Sequence, residues 1–140
     1  MILLDTDHCS VLFDQRHRQH SQLVTRLADS FQEIGLPIVA LQEQLRGFLA
    51  YLHRERDLHK LVWPYHRLAA FLRAMAEVDI VDFTTEAAKQ VESLRKQRIR
   101  IGTQDLKIAA IALSTESLLL SANHRDFSLV QGLHVENWLD

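Results

Sequence analysis

Short apolar runs alternate along this chain with longer stretches in which apolar residues recur every three or four positions. Ile2-Leu3-Leu4 is a continuous apolar run, the pattern of a buried strand, although periodicity alone does not separate such a run from helix. Residues 6–33 carry Leu23, Leu27 and Phe31 at i, i+4 and i+8 and are expected to be helical, with Gly35 as the stop. Leu36-Pro37-Ile38-Val39-Ala40-Leu41 predicts a second buried strand, with Pro37 tolerated near its start. A helix is expected from Leu41 to about Arg54, its stripe formed by Leu41, Leu45, Phe48, Leu49 and Leu52. Trp63-Pro64 marks a boundary, because a residue before proline is pushed out of the α region. Pro64 then suits the first turn of a helix running to about Val78. Asp79 to Phe83 predicts a third strand. Thr84 is the expected N-cap of a helix to about Arg98, with Glu86 in its first turn. After Gly102 a largely apolar helix is expected from about Gln104 to Ser114. Leu118-Leu119-Leu120 and Leu133 to Trp138 predict the fourth and fifth strands. Strands alternating with helices imply an α/β fold: a three-layer α/β/α sandwich around a mainly parallel sheet of about five strands. No repeat or internal boundary divides residues 1–140, so a single domain is expected.

Composition narrows the class. With 47% hydrophobic and 24% charged residues, the chain has globular rather than disordered character. The single Cys9 rules out an internal disulfide or a cysteine-based zinc cluster and suits a reducing cytoplasm. The opening apolar run stops at Asp5, too short for a signal peptide, and no stretch approaches the ~20 apolar residues of a membrane span. The formal charge of −2 gives no global sign of a nucleic-acid binder. The charge is uneven, however: residues 89–107 carry a net +4 and the rest a net −6. That basic stretch leads to Asp105 and reads either as a phosphate track or as an ordinary charged helix face.

In an open parallel sheet, ligands bind beyond the carboxyl ends of the strands. Several acids fall there. Asp5 follows the first strand, Glu43 lies in the first turn after the second, Asp105 opens the apolar helix, and Asn123 and Asp126 follow the fourth strand. At about 100° per residue, Glu43 points away from its helix's apolar stripe, together with Gly47 and Ala50, small residues that let another element approach. Asp105 precedes a helix that is apolar nearly all round and so is expected to be half-buried and to need a partner. Taken singly, each acid also fits a turn or an N-cap. Together, converging carboxylates repel unless a cation joins them, and oxygen-only ligands suit Mg²⁺ or Mn²⁺. Such an ion would hold a phosphate and generate hydroxide for attack on a phosphodiester.

The motifs around these acids resemble those of the PIN-domain family, of the kind found in VapC-type toxins. Leu3-Leu4-Asp5-Thr6-Asp7-His8 resembles the family's opening strand and first acid, and Glu43-Gln44-Leu45-Arg46-Gly47 its Glu-Leu-x-x-Gly element, with Gln44 where Leu is common. Ile101 to Ala110 and Leu120-Ser121-Ala122-Asn123-His124-Arg125-Asp126-Phe127 resemble its third and last motifs, and Gly132 to Trp138 its closing strand. The resemblance implies a Mg²⁺- or Mn²⁺-dependent endoribonuclease acting on RNA, the toxin of a toxin–antitoxin pair. It also implies a homodimer and a small DNA-binding antitoxin that blocks the cleft. It carries over Asp5, Glu43 and Asp105, with the fourth acidic position at Asn123 or Asp126. Thr6 takes a place beside a metal-bound water, or else caps the first helix; Asp7, Arg46 and Lys107 are candidates for outer-shell or substrate contacts.

Two other readings compete. Asp5-x-Asp7 after an apolar strand also resembles the first motif of haloacid-dehalogenase-type phosphotransferases, with Asp5 as nucleophile and Asp7 as acid–base. No convincing acidic pair follows Lys107 to complete that set. A PIN-like module that binds RNA or a partner without turnover is the remaining alternative. His8 is expected on a partly exposed helix face, and Trp63 and Tyr65 either stack bases or pack in a core or dimer.

Overall fold

The computed structural model describes residues 1–139. The short apolar runs form one sheet of five strands: β1 (Ile2–Leu4), β2 (Ile34–Pro37), β3 (Asp79–Val81), β4 (Leu118–Leu120) and β5 (His134–Glu136). All neighbours pair in parallel, in the order β3-β2-β1-β4-β5. Leu3 lies at the centre, in register with Gly35 on one side and Leu119 on the other. Ile2, Leu3 and Leu4 are each 0% exposed. Successive strand residues face opposite ways, so helices must cover both faces.

The helices are α1 (Thr6–Leu12), α2 (His20–Asp29), α3 (Ile38–Arg54), α4 (Val62–Met75), α5 (Thr85–Lys96), α6 (Thr103–Ser114) and α7 (His124–Phe127), with a 3₁₀ turn at Leu58–Leu61. α5 packs on α6, and α3 packs against α1 and α4. Thr84 caps α5 as expected, its hydroxyl accepting from Ala87 N–H at 3.1 Å. α6 buries Leu106 and Ile108 through Ala112, the apolar face that its sequence requires.

Three boundaries differ from the sequence reading. Residues 6–33 form two helices, because Asp14 folds back on the chain: its carboxylate accepts from Arg16 N–H at 3.1 Å and its carbonyl from His17 N–H at 3.0 Å. Such local bonds compete with helix continuation. The second strand is Ile34–Pro37 rather than 36–41, so Gly35 lies inside it and Pro37 closes it. Pro37 there interrupts the ladder least, and its φ of −58° leads straight into Ile38, the first residue of α3. Glu43 therefore occupies the second turn of its helix, not the first. The third and fifth strands stop at Val81 and Glu136, where their partners Pro37 and Leu120 also end.

The two glycines of this region behave oppositely. A Cβ on Gly35 would stand 2.7 Å from Val81 Cγ2 and 3.1 Å from Leu3 Cδ2, whereas one on Gly47 would meet nothing within 4 Å. The close approach expected at Gly47 is thus absent, and the one that exists is between strands. Gly35→Ala is expected to lower unfolding free energy by about 1–3 kcal/mol through overpacking. Gly47→Ala, mid-helix and unobstructed, is expected to raise it by up to about 1 kcal/mol. Urea denaturation of the two variants checks both signs.

Candidate active site

The chain moves from β1 to β2 and β3 on one side of the sheet, then crosses to β4 and β5 on the other. The order therefore reverses between β1 and β4, and the crevice beyond their carboxyl ends is where such a fold binds ligands. Asp5 stands there. Its backbone N–H donates to Leu120 O at 2.9 Å, tying it to the end of β4. One carboxylate oxygen caps α1 by accepting from Thr6 N–H at 2.7 Å. The other accepts from the Ser121 hydroxyl at 2.7 Å. Ser121 is fully buried, and its oxygen also accepts from Asn123 N–H at 2.9 Å. One serine thus fixes both the first acid and the start of the last motif.

Asn123 is the second organiser. Its side-chain N–H₂ donates to Asp105 Oδ2 and to Asp126 Oδ2, both at 3.2 Å. Its carbonyl accepts from Asp126 N–H at 3.4 Å, capping the single turn of α7. Asp105, half-buried at the start of α6, finds here the partner that its burial demands. Glu43 enters from α3. Its Oε1 and the Thr6 hydroxyl are both buried and make no hydrogen bond of regular geometry, although Thr6 lies close enough to act on the Glu43 carboxyl.

The carboxylates are close enough to feel one another. Burial pushes Asp5 up from the usual carboxylate range, with Asp7 and Glu43 adding to the rise and the Ser121 and Thr6 bonds opposing it. Glu43 is raised by burial and by Asp105, with Thr6 and Arg46 pulling weakly the other way. Asp105 is raised by burial, then by Asp5 and Asp126, against the Asn123 bond. Beneath them, burial and the same acids push the Cys9 thiol far up, and its Sγ–H donates to Leu4 O at 3.5 Å. None of Asp5, Glu43, Asp105 and Asp126 makes an ion pair among the described residues. Within the same limit, no group of three acidic, histidine or cysteine side chains is arranged to hold a metal ion.

A surrounding layer holds these groups in place. His8 is fully buried rather than partly exposed. Its Nε2 accepts from Trp138 N–H at 3.1 Å, which leaves Nδ1 to donate to Asp7 Oδ1. Asp7 Oδ2 accepts from Ala122 N–H at 3.0 Å, so each of its oxygens is hydrogen-bonded to the surrounding fold. Gln44 donates to Thr6 O at 3.1 Å and to the Ser10 hydroxyl at 2.7 Å, locking α3 to α1 beside Glu43.

The structure thus brings Asp5, Thr6, Asp7, Glu43, Asp105, Asn123 and Asp126 to one crevice, with Arg46 near Glu43. Lys107 does not join them by any bond: it lies two residues past Asp105 on α6 and donates instead to Gln104 at 3.1 Å. The exposed Arg95 and Lys96 lie in the last turn of α5, where they complement the helix dipole. Ser121 and Gln44 were given no role from sequence, and His8, expected on a partly exposed face, is a buried partner of Asp7. Only His8 left a signal, since it shares an i, i+3, i+4 stripe with Val11 and Leu12.

A five-stranded parallel α/β fold with carboxylates converging at its switch point defines the class of the molecule. The PIN domain family profile matches residues 2–133, and the chain belongs to that family. Among its relatives, Ribonuclease VapC1 of Rickettsia felis is 48% identical over 48 residues, which are 34% of this chain and 36% of that protein. Ribonuclease VapC2 of Haemophilus influenzae is 31% identical over 84 residues, 57% of this chain and 64% of that one. The matches therefore span about one third to two thirds of those relatives' length. Among solved structures, VapBC2 of Rickettsia felis bound to a promoter DNA fragment superposes with a TM-score of 0.75, at 20% identity over 99% of both chains. DNA-bound VapBC of Salmonella typhimurium gives 0.74 at 21% identity, over 98% of this chain and 97% of that one. These likenesses establish the PIN fold along the chain.

The raised carboxyls have a thermodynamic consequence. A raised folded-state pKa means that the folded protein binds these protons more tightly than the unfolded chain. The stability they contribute is complete below the ordinary values near 4 and is lost as pH rises through the raised ones. In EDTA, the wild-type melting temperature should therefore carry a penalty toward neutral pH. Asp105→Asn should remove part of that penalty, melting a few degrees higher than wild type at pH 7.5 and showing a flatter pH profile. Thermal melts from pH 4 to 8 provide the check.

Proposed function

We propose that this protein is a Mg²⁺- or Mn²⁺-dependent endoribonuclease and the toxin of a type II toxin–antitoxin pair. The observation that carries the proposal is the unneutralised crevice: carboxylates from four separate segments, three of them raised in pKa, with no ion-paired cation among them. Glu43 Oε1 and Thr6 Oγ1 are buried there without a hydrogen bond of regular geometry, beyond the weak contact by which the Thr6 hydroxyl lowers the Glu43 pKa. A hydrated divalent cation answers both features, since it neutralises the acids and its waters donate to these oxygens. Mg²⁺ keeps several waters and needs few direct protein ligands, so spread carboxylates suit it.

Asp5, Glu43, Asp105 and Asp126 would hold the ion, and Thr6 would accept from one of its waters. Asn123 serves as a bridge: its amide N–H₂ is directed at Asp105 and Asp126 and its oxygen at the α7 cap, which favours Asp126 as the fourth acidic ligand. When bound, such an ion supplies a nucleophilic water at neutral pH and neutralises charge on the phosphodiester. The protein's part is positioning. Ser121 aims Asp5, Asn123 sets the spacing of Asp105 and Asp126, and Gln44 holds the Thr6 end of α1 against Glu43. The relatives named Ribonuclease VapC support RNA as substrate, and the VapBC–DNA complexes support a DNA-binding antitoxin partner and a cytoplasmic setting. A homodimer belongs to the same proposal.

The test is cleavage of an RNA panel with Mg²⁺ or Mn²⁺ and with EDTA. Wild type should cut only with metal. Asp5→Asn and Asp105→Asn should each lose at least ~100-fold in rate, the scale of losing a charge-stabilising group. Asn123→Ala should require about 10- to 100-fold more metal, as expected for a group that orients ligands. Undiminished cutting by both aspartate variants would overturn the assignment.

A further inference from the structure

A second concave surface lies one residue from the acids. On α3, Gln44, Gly47, Phe48, Tyr51 and Arg54 recur at three- and four-residue spacing and so share one face. Opposite it, Lys60 of the 3₁₀ turn and Trp63 and Arg67 of α4 form a matching stripe. Between them runs an open groove of about 650 Å³. Gly47 leaves its wall unobstructed, and Phe48 forms an apolar side, its ring 5.2 Å from Phe71.

The groove joins apolar and aromatic surface from Phe48, Tyr51, Trp63 and Pro64 to three cations, of which Arg67 lies 5.8 Å over the Phe48 ring. No acidic side chain lines it, and none of Arg54, Lys60 and Arg67 makes an ion pair among the described residues. Trp63 is 54% exposed and is held rather than loose: His66 stacks on it at 5.4 Å and Arg16 lies 5.5 Å over its ring. An aromatic plane kept half-open among unpaired cations suits a base with its phosphates. A docked protein helix would instead desolvate those cations without partners, which is costly. A duplex keeps its bases stacked inside and presents no base face to Trp63. The groove also has a fixed relation to the crevice. Gln44, on its wall, follows Glu43 directly and bonds to Thr6 and Ser10.

We propose that the α3–α4 groove binds a single-stranded RNA segment flanking the cleaved bond, with a base stacked on Trp63 and phosphates held by Arg54, Lys60 and Arg67. The proposal rests on the ribonuclease reading for the chemistry next door, but binding can be measured apart from cleavage. Fluorescein-labelled 12-nucleotide oligouridylate and oligoadenylate are titrated in EDTA by anisotropy, at several salt concentrations. Circular dichroism confirms folding of the variants, whose substituted positions are exposed. Trp63→Ala should weaken binding about tenfold or more, while Trp63→Phe stays near wild type. Arg54→Ala with Lys60→Ala should weaken binding and lower the log–log salt slope by about 0.7 for each cation lost. Wild-type tryptophan fluorescence should be quenched by the oligonucleotides, and Trp63→Phe, retaining only Trp138, should lose that quenching.

Unchanged affinity and slope in these variants would overturn the groove. So would a change in sedimentation with RNA affinity intact, which would assign the surface to protein association. Cleavage that proceeds without dependence on the groove overturns this inference and leaves the ribonuclease intact. Groove-dependent binding with no cleavage under Mg²⁺ or Mn²⁺ does the reverse.

Discussion

Carboxylates placed side by side in a partly buried crevice repel, and the rest of this site is arranged around that repulsion. A free side chain relieves it by swinging into water. Here Ser121 holds Asp5, and Asn123 holds Asp105 and Asp126 at equal 3.2 Å contacts. Those donors are themselves fixed by the backbone: Asn123 N–H bonds to Ser121, and Asp126 N–H to Asn123. The result is strain that the core must offset. β1, 0% exposed at all three residues, and the apolar α6 anchor Asp5 and Asp105 at their ends, so neither can retreat without disturbing the interior. In the function proposed above, a cation would gain from the same proximity that destabilises the protein alone.

The layer outside the acids follows the same logic with neutral groups. His8 links Asp7 to Trp138 through defined donor and acceptor nitrogens, and so couples the crevice to the chain beyond β5. Gln44 couples α3 to the first turn of α1. Had either position carried a cationic side chain bonded to an acid, the crevice would have been neutralised from within and its attraction for an external cation reduced. Histidine with an accepting Nε2 and glutamine supply rigidity through directed hydrogen bonds.

What the sequence could reveal depended on whether a residue's role was local. Asp5, Asp105 and Thr84 sit where a strand ends or a helix begins, so their places followed from patterns a few residues long. Glu43 lies beyond the carboxyl end of β2 with either strand boundary, although it falls in the second turn of α3 rather than the first. Ser121 was invisible for the opposite reason: its partner lies 116 residues away, and a lone buried serine has no periodic signature. The split of residues 6–33 was missed because one Asx turn at Asp14 overrode a helical spacing that holds only from Leu23 onward. Gly35 looked like a helix stop, yet it is needed for strand spacing, a constraint set by Val81 and Leu3 across the sheet.

The formal charge of −2 is then a sum of two opposed surfaces. Asp5, Glu43, Asp105 and Asp126 gather at the switch point, where burial and mutual repulsion raise the first three above the usual carboxylate range. The basic residues of the stretch at 89–107 read from sequence either as a phosphate track or as an ordinary charged helix face. In the fold, several of them lie along α5 and its C-terminal end, while Lys107 is bonded to Gln104. The unpaired cations next to an exposed aromatic ring lie instead on α3 and α4, which diverge from the crevice at Gln44. Clustering of charge along the sequence differs from clustering in space, because the helical repeat distributes neighbouring residues over different faces. The spacing of Tyr51, Arg54, Lys60, Trp63 and Arg67 carries that information, and it becomes legible only when the α3–α4 pairing is known.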